Sequence, residues 1–300
     1  MHLVSFTRDG QVRSGAVDEL PTGPAGVRVL DLNDADPRLP ADLLELLRAG
    51  TGALDLARQV IAGAPAERRV PVEGTRLLAP VPRPGKIICI GLNYRDHAAE
   101  AGLPIPDEPV VFAKLSNTVN GPYRPIPLPR ASEQIDYEAE LGVVIGRTCK
   151  GVNEAGALDH VAGYLAVNDV SARDVQSRNG QWVLGKSPDG FAPMGPALVT
   201  ADEVGDPQQL DLRTRVGDEV LQSSSTREMI FTVARLISFL SELVTLEPGD
   251  VIATGTPSGV GGARTPPRWL RAGETVRVEF PRLGALANPL TPPGDGDLPG

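Results

Sequence analysis

Apolar and polar positions alternate in short blocks along this chain. Leu3-Val4-Ser5-Phe6 and the run Gln11–Val17 flank the turn Arg8-Asp9-Gly10, which predicts a β-hairpin. ADLLELLRAG and TGALDLARQVIAG then carry apolar residues at helical spacing and predict two short helices. The Pro-rich segment PVPRPGK, residues 80–86, marks a boundary, so residues 1–75 read as a small N-terminal α/β unit and 76–290 as the main domain. Beyond the boundary come KIICIG, PVVFAKL, EAELGVVIG, VAGYLAVND, PALVT, LRTRVG, GDVIATG and ETVRVEF, short strand-like runs separated by Gly, Pro and Asp. One helix interrupts them. Ser225 and Glu228 match a capping box, and Met229, Ile230, Val233, Leu236, Ile237, Leu240 and Val244 form a buried stripe. Many strands and few helices predict a β-rich α+β fold with mixed or antiparallel sheets rather than a doubly wound one. Residues 291–300, ending PPGDGDLPG, read as a disordered tail.

Composition narrows the class. The 300 residues carry a formal charge of −9 with Lys and Arg scattered, so no basic stripe invites nucleic acid. No apolar run approaches the ~20 residues that span a bilayer. The opening MHLVSFTRDG has neither the basic nor the apolar region of a signal peptide, and Cys89 and Cys149 lie inside apolar runs as reduced thiols; the expected location is the cytoplasm.

The run Asp136-Tyr137-Glu138-Ala139-Glu140 carries the strongest chemical signal. On a strand, residues two apart face the same side with backbones about 6.7 Å apart, so Glu138 and Glu140 project together, opposite Tyr137, Ala139, Leu141 and Val143. Two carboxylates beside an apolar run repel one another unless a cation lies between them, although a solvated acidic face would give the same pattern. Asp169 closes the apolar run VAGYLAVND and is a third candidate ligand. Oxygen-only donors suit Mg²⁺, Mn²⁺ or Ca²⁺ rather than Zn²⁺.

These residues, with Gly91-Leu92-Asn93-Tyr94-Arg95-Asp96-His97, Asn168-Asp169-Val170-Ser171-Ala172-Arg173-Asp174-Val175-Gln176, Trp182-Val183-Leu184-Gly185-Lys186-Ser187 and Thr254-Gly255-Thr256-Pro257-Ser258-Gly259-Val260-Gly261, resemble the signatures of the fumarylacetoacetate hydrolase family over residues 80–290. The resemblance implies a mixed β-roll, a homodimer, and Mg²⁺ or Mn²⁺ on Glu138, Glu140 and Asp169. It also implies cleavage, decarboxylation or isomerisation of a small anionic keto acid. Fumarylacetoacetases proper resemble this chain but carry an additional acidic ligand shortly before the histidine. Here that stretch is IICIGLNY, which points to a different substrate, first an acylpyruvate or diketo acid cleaved at a C–C bond. Oxaloacetate decarboxylation or hydroxymuconate-type isomerisation is the alternative.

The remaining residues take their roles against that resemblance. His97 and Glu100, three apart, share a helical face, and a carboxylate beside an imidazole raises its basicity; the family likeness makes them a base and its orienter on a mobile lid. It likewise makes Lys186 the charge that stabilises an enolate, and Gln176 a substrate contact. Gly255 and Thr256 sit in a Gly-rich loop able to meet a substrate carboxylate. Lys114 reads as structural, Arg173 and Asp174 as braces of a helix start, and His160 and His2 as uninvolved.

Overall fold

A computed structural model describes residues 1–293. It is strand-rich and mixed α+β, and its sheets are not closed. The larger sheet runs in the order Arg69–Pro71, Arg28–Asp31, Gln11–Val17, His2–Arg8, Ala192–Thr200, Val161–Asn168, Ala139–Ile145, Val251–Ala253, Ile87–Gly91, Val110–Ala113. Most neighbours are antiparallel; Val251–Ala253 and Ile87–Gly91 are parallel. A five-stranded sheet packs beside it, in the order Glu219–Ser225, Asp211–Val216, Thr275–Phe280, Gly284–Thr291, Ile126–Pro127.

The expected hairpin forms, with Arg8 opposite Gln11 and the turn at Asp9 and Gly10 in left-handed backbone, φ 52° and 76°. Both N-terminal helices form, as Leu43–Arg48 and Thr51–Gly63. Residues 1–75 share the large sheet, because His2 and Leu3 pair with Val199 and Leu198.

The central strand Ala139–Ile145 is buried along its whole length. Its alternation sorts two cores. Ala139, Leu141, Val143 and Ile145 pack with Val233, Leu236, Ile237 and Leu240 of one helix and with Val278, Phe280 and Leu286 of the second sheet. Val144, on the opposite face, packs with Leu43, Leu46, Leu47 and Ala57 of the N-terminal helices. Each fully buried aliphatic side chain contributes about 1.5–3 kcal/mol, so this strand is held firmly from both sides. That fixes the side chains at its N-terminal end.

Two expectations need correction. The helix predicted from Ser225 begins at Val233 and ends at Leu243, with Thr232 as its N-cap accepting from Arg235 N at 3.2 Å. Thr226–Glu228 form only a 3₁₀ turn, because the next residues are drawn into other pairings. Met229 bridges Tyr94, Ile230 N donates to Asn93 O, and Phe231 N donates to Asn93 Oδ1. Thr291, read as the first residue of a disordered tail, is the end of a strand and pairs with Pro127; residues 294–300 of that segment lie outside the described residues. Among the described residues no helix is long and apolar enough to cross a membrane. Cys89 and Cys149 are free and buried, and burial pushes both thiols up, away from reactive thiolate.

Candidate metal centre

The site starts from one strand register. Ala139 pairs with Asn168, and Asp169 N donates to Glu138 O at 2.9 Å. This pairing carries Asp169, just past its strand, to the face on which Glu138 and Glu140 project. One carboxylate oxygen from each of the three lies within 4.8 Å of the others, and all three side chains are buried.

The charges around them are arranged in detail. Lys186 Nζ donates to Glu138 Oε2 at 2.6 Å and to Asp169 Oδ2 at 2.7 Å. Lys114 Nζ donates to Asp169 Oδ1 at 2.6 Å and to Val170 O at 3.0 Å. Arg173 Nη2 lies 2.6 Å from Glu138 Oε1, an ion pair without hydrogen-bond alignment, while its Nε donates to Asp136 Oδ2 at 2.8 Å. Gly255 N donates to Glu140 Oε2 at 2.9 Å.

The three carboxyls differ accordingly. Burial pushes Glu138 up, but Lys186 and Arg173 outweigh it and hold the group down at about 2. Burial pushes Glu140 well above the usual carboxylate range, and the charges of Asp169 and Glu138 push it further. Burial works against the Lys186 ammonium, yet Asp169 and Glu138 keep it above an ordinary lysine. Among the described residues Glu140 therefore lacks the positive partner that its neighbours have, and its carboxylate accepts its one hydrogen bond from a neutral amide. A hard cation beside it would supply that charge. The all-oxygen donor set, dry and converging, fits a divalent metal of the Mg²⁺ or Mn²⁺ kind.

His97 and Glu100 lie on the helix Arg95–Ala101, with His97 Nδ1 3.3 Å from Glu100 Oε2. Glu100 Oε1 accepts from Gly259 N at 2.9 Å. Asp96 accepts from Ser224 Oγ at 2.8 Å and Ser258 Oγ at 3.3 Å. One loop thus meets both groups: its Gly255 N–H holds Glu140 and its Gly259 N–H holds Glu100. Gly261 N and Gly262 N both donate to Asp136, at 2.7 and 3.0 Å.

Other expected residues are placed differently. The Thr256 hydroxyl donates to Ala139 O at 3.0 Å and accepts from Gln222 Nε2 at 2.9 Å, so its proton is used inside the chain. The Gly255 N–H is likewise taken by Glu140. Gln176 is half-buried and accepts from Arg173 Nη1 at 3.1 Å, which leaves its amide N–H groups free for another partner. Lys186 ends the short helix Val183–Lys186. Gly185 lets that helix approach closely, since a Cβ there would lie 2.4 Å from Gln176 N.

Arg173, read as a helix brace, reaches Glu138. Lys114, read as structural, reaches Asp169. Asp174 does brace locally, accepting from Val175 N at 2.9 Å. Phe112, unnoticed in the sequence, has its ring centroid 5.0 Å from Lys186 Nζ and meets Trp182 edge-on at 5.2 Å. A lysine closing an apolar strand, as in Val111-Phe112-Ala113-Lys114, is the signal that could have marked this wall, because a buried ammonium requires a carboxylate.

The chain is similar to known proteins over most of its length. The C-terminal domain of fumarylacetoacetate (FAA) hydrolase matches residues 86–291. The chain is 46% identical over 267 residues to "Oxaloacetate tautomerase fahd2, mitochondrial" of Xenopus laevis, covering 88% of this chain and 83% of that one. Its structure is similar to a fumarylacetoacetate hydrolase from psychrophilic Exiguobacterium antarcticum, with TM-score 0.81 and 38% identity, covering 97% of this chain and 99% of that one. It is also similar to maleylpyruvate hydrolase from Sphingobium sp. SYK-6, solved with manganese(II) ion and pyruvate, with TM-score 0.77 and 30% identity over 98% of this chain and 100% of that one. A matched domain of this extent, together with relatives this alike over most of their length, establishes that the chain belongs to the fumarylacetoacetate hydrolase family.

Proposed function

We propose that this chain is a divalent-metal-dependent keto–enol tautomerase acting on oxaloacetate or a close α-keto dicarboxylate. The likeness to the Xenopus oxaloacetate tautomerase supports this reading above the C–C hydrolysis that the sequence first suggested. Glu138, Glu140 and Asp169 would hold the metal. A bound Mg²⁺ or Mn²⁺ would supply Lewis-acid charge to the keto acid.

The chain's own groups do the rest. His97 presents Nε2, because Nδ1 faces Glu100. The Glu100 carboxylate fixes that tautomer and steadies the imidazolium formed when Nε2 takes a proton from C3. The electron pair moves to the C2 oxygen, whose negative charge the Lys186 ammonium, held between Glu138 and Asp169, would offset through its field rather than by a direct hydrogen bond. The imidazolium then returns its proton to that oxygen, giving the enol. The same steps reversed give the keto form, so no water attack and no bond cleavage are required.

The second reading is acylpyruvate hydrolysis, in which His97 would activate water; the likeness to maleylpyruvate hydrolase favours it. A cytoplasmic homodimer is the setting we propose, though the Xenopus relative is named mitochondrial. Light scattering and cell fractionation test these points. For the activity, chelated protein would be mixed with enol-oxaloacetate, with and without Mn²⁺, and enol decay and products followed by absorbance and NMR. Metal-dependent acceleration without pyruvate is the expected result. Pyruvate with CO₂ would mean decarboxylation, and acetate with pyruvate from acetylpyruvate would restore the hydrolase. Unchanged enol decay with Mn²⁺ bound would sink the proposal.

A further inference from the structure

Of the six oxygens on Glu138, Glu140 and Asp169, only Glu140 Oε1 has no hydrogen-bond or ion-pair partner among the described residues. Two ammonium groups and one guanidinium occupy the four oxygens of Glu138 and Asp169. Carboxylate ligands are usually oriented by outer-shell donors, and neutral donors would serve that purpose. Here the donors are cations, and they are buried with the ligands. Lys114 and Lys186 are 4% and 2% exposed. Asp136 is a further carboxylate facing this group, and its two oxygens are taken by Arg173 and by the amides of Tyr137, Gly261 and Gly262. On its remaining side Lys186 meets the Phe112 ring rather than another acid.

Four carboxylates thus face three fixed cations. The cluster is nearly neutralised before any metal arrives, unlike three bare carboxylates. We propose that Lys186, with Lys114, is a built-in counter-ion that weakens the hold on metal alone and couples metal binding to an anionic ligand. This rests on the metal-site reading above. A divalent ion entering the triad adds two charges close to buried ammonium groups. A small dianion bound beside the metal supplies the compensating charge. By linkage, anion and metal then strengthen each other's binding by the same factor.

The test measures Mn²⁺ affinity of the full chain, stripped of metal, by EPR of free Mn²⁺, with oxalate as the probe dianion. Variants Lys186→Met and Lys114→Met each remove one ammonium; Lys186→Arg keeps the charge. Each Met variant is expected to bind Mn²⁺ alone roughly tenfold or more tightly than wild type, as loss of a like charge a few ångströms away implies. Oxalate should tighten Mn²⁺ binding less in the Met variants than in wild type, and Lys186→Arg should stay near wild type. A variant too unstable for titration is read by thermal shift instead. Mn²⁺ should then raise its melting temperature more than that of wild type. Met variants that bind Mn²⁺ equally or more weakly, with unchanged coupling to oxalate, would overturn the counter-ion role while leaving the metal site intact. Wild type that binds no Mn²⁺ even with oxalate would overturn the metal-site reading itself.

Discussion

The carboxylate triad and the His97–Glu100 helix are built to opposite specifications. Glu140 sits on a strand buried along its whole length, and Glu138 and Asp169 lie at the ends of this strand and its partner, held together by their register. The helix carrying His97 is seven residues long, and His97 and Glu100 are 16% and 23% exposed. It is clipped down by a few hydrogen bonds, Gly259 N to Glu100 and two serine hydroxyls to Asp96. The lesson is one of division of labour. The charged groups are fixed by burial and register, whereas the proposed base lies on a more exposed helix with few tethers, the kind of segment that opens locally at lower cost.

Substitutions can break or sharpen that contrast. The largest effect belongs to the triad. Glu138→Gln should abolish metal-dependent turnover, by roughly a thousandfold or more, and should destabilise the apoprotein by about 3–5 kcal/mol, since Lys186 and Arg173 lose a buried partner. Glu140→Gln should abolish turnover equally but cost far less stability, because Glu140 has only the Gly255 amide to lose. Urea melts of the two variants decide this; equal destabilisation would contradict the charge distribution described. Next, His97→Asn should lower kcat by about 10²–10⁴-fold while leaving Mn²⁺ affinity and stability nearly untouched. A loss of metal binding in that variant would mean the two regions are not separable. Gly185→Ala should cost about 1–3 kcal/mol, as its methyl meets the Gln176 backbone, and should lower activity through displaced Lys186. Thr232→Ala, whose side chain caps its own helix through Arg235 N, should cost about 1 kcal/mol through loss of that cap, with kcat unchanged.

The sequence made the first of these regions more legible than the second. Strand periodicity alone put Glu138 and Glu140 on one face, because that inference needs only local geometry. Asp169 was visible as a polar stop to an apolar run. The long-range partners were not visible. Lys114 and Arg173 meet the triad only because strands distant in sequence lie side by side, and a lone lysine or arginine looks alike in solvent and in a core. The bonding of the loop residues was hidden for a related reason. Thr256 has the chemistry to bind a carboxylate, but its hydroxyl is spent on Ala139 O and Gln222, which local pattern cannot foresee. The misplaced helix start at Ser225 was a tertiary override. The capping-box pattern was present, and pairing of residues 229–231 with Asn93 and Tyr94 won.

The pairing of His2–Arg8 with Ala192–Thr200 has a consequence for how the protein is made. Met1 N bonds to Thr200 Oγ1 across a sequence separation of 199 residues. At about 5–20 residues per second, the ribosome needs roughly ten to forty seconds to deliver that partner after the first strand emerges. During the wait, the hairpin with Gln11–Val17 covers one edge of His2–Arg8 and Leu77 and Leu78 meet Phe6 and Ser5 on the other, while His2 and Leu3 stay unpaired on that edge until Leu198 and Val199 arrive. The nascent chain therefore carries a partly open strand edge through most of its synthesis, the interval in which a chaperone would be most useful to it.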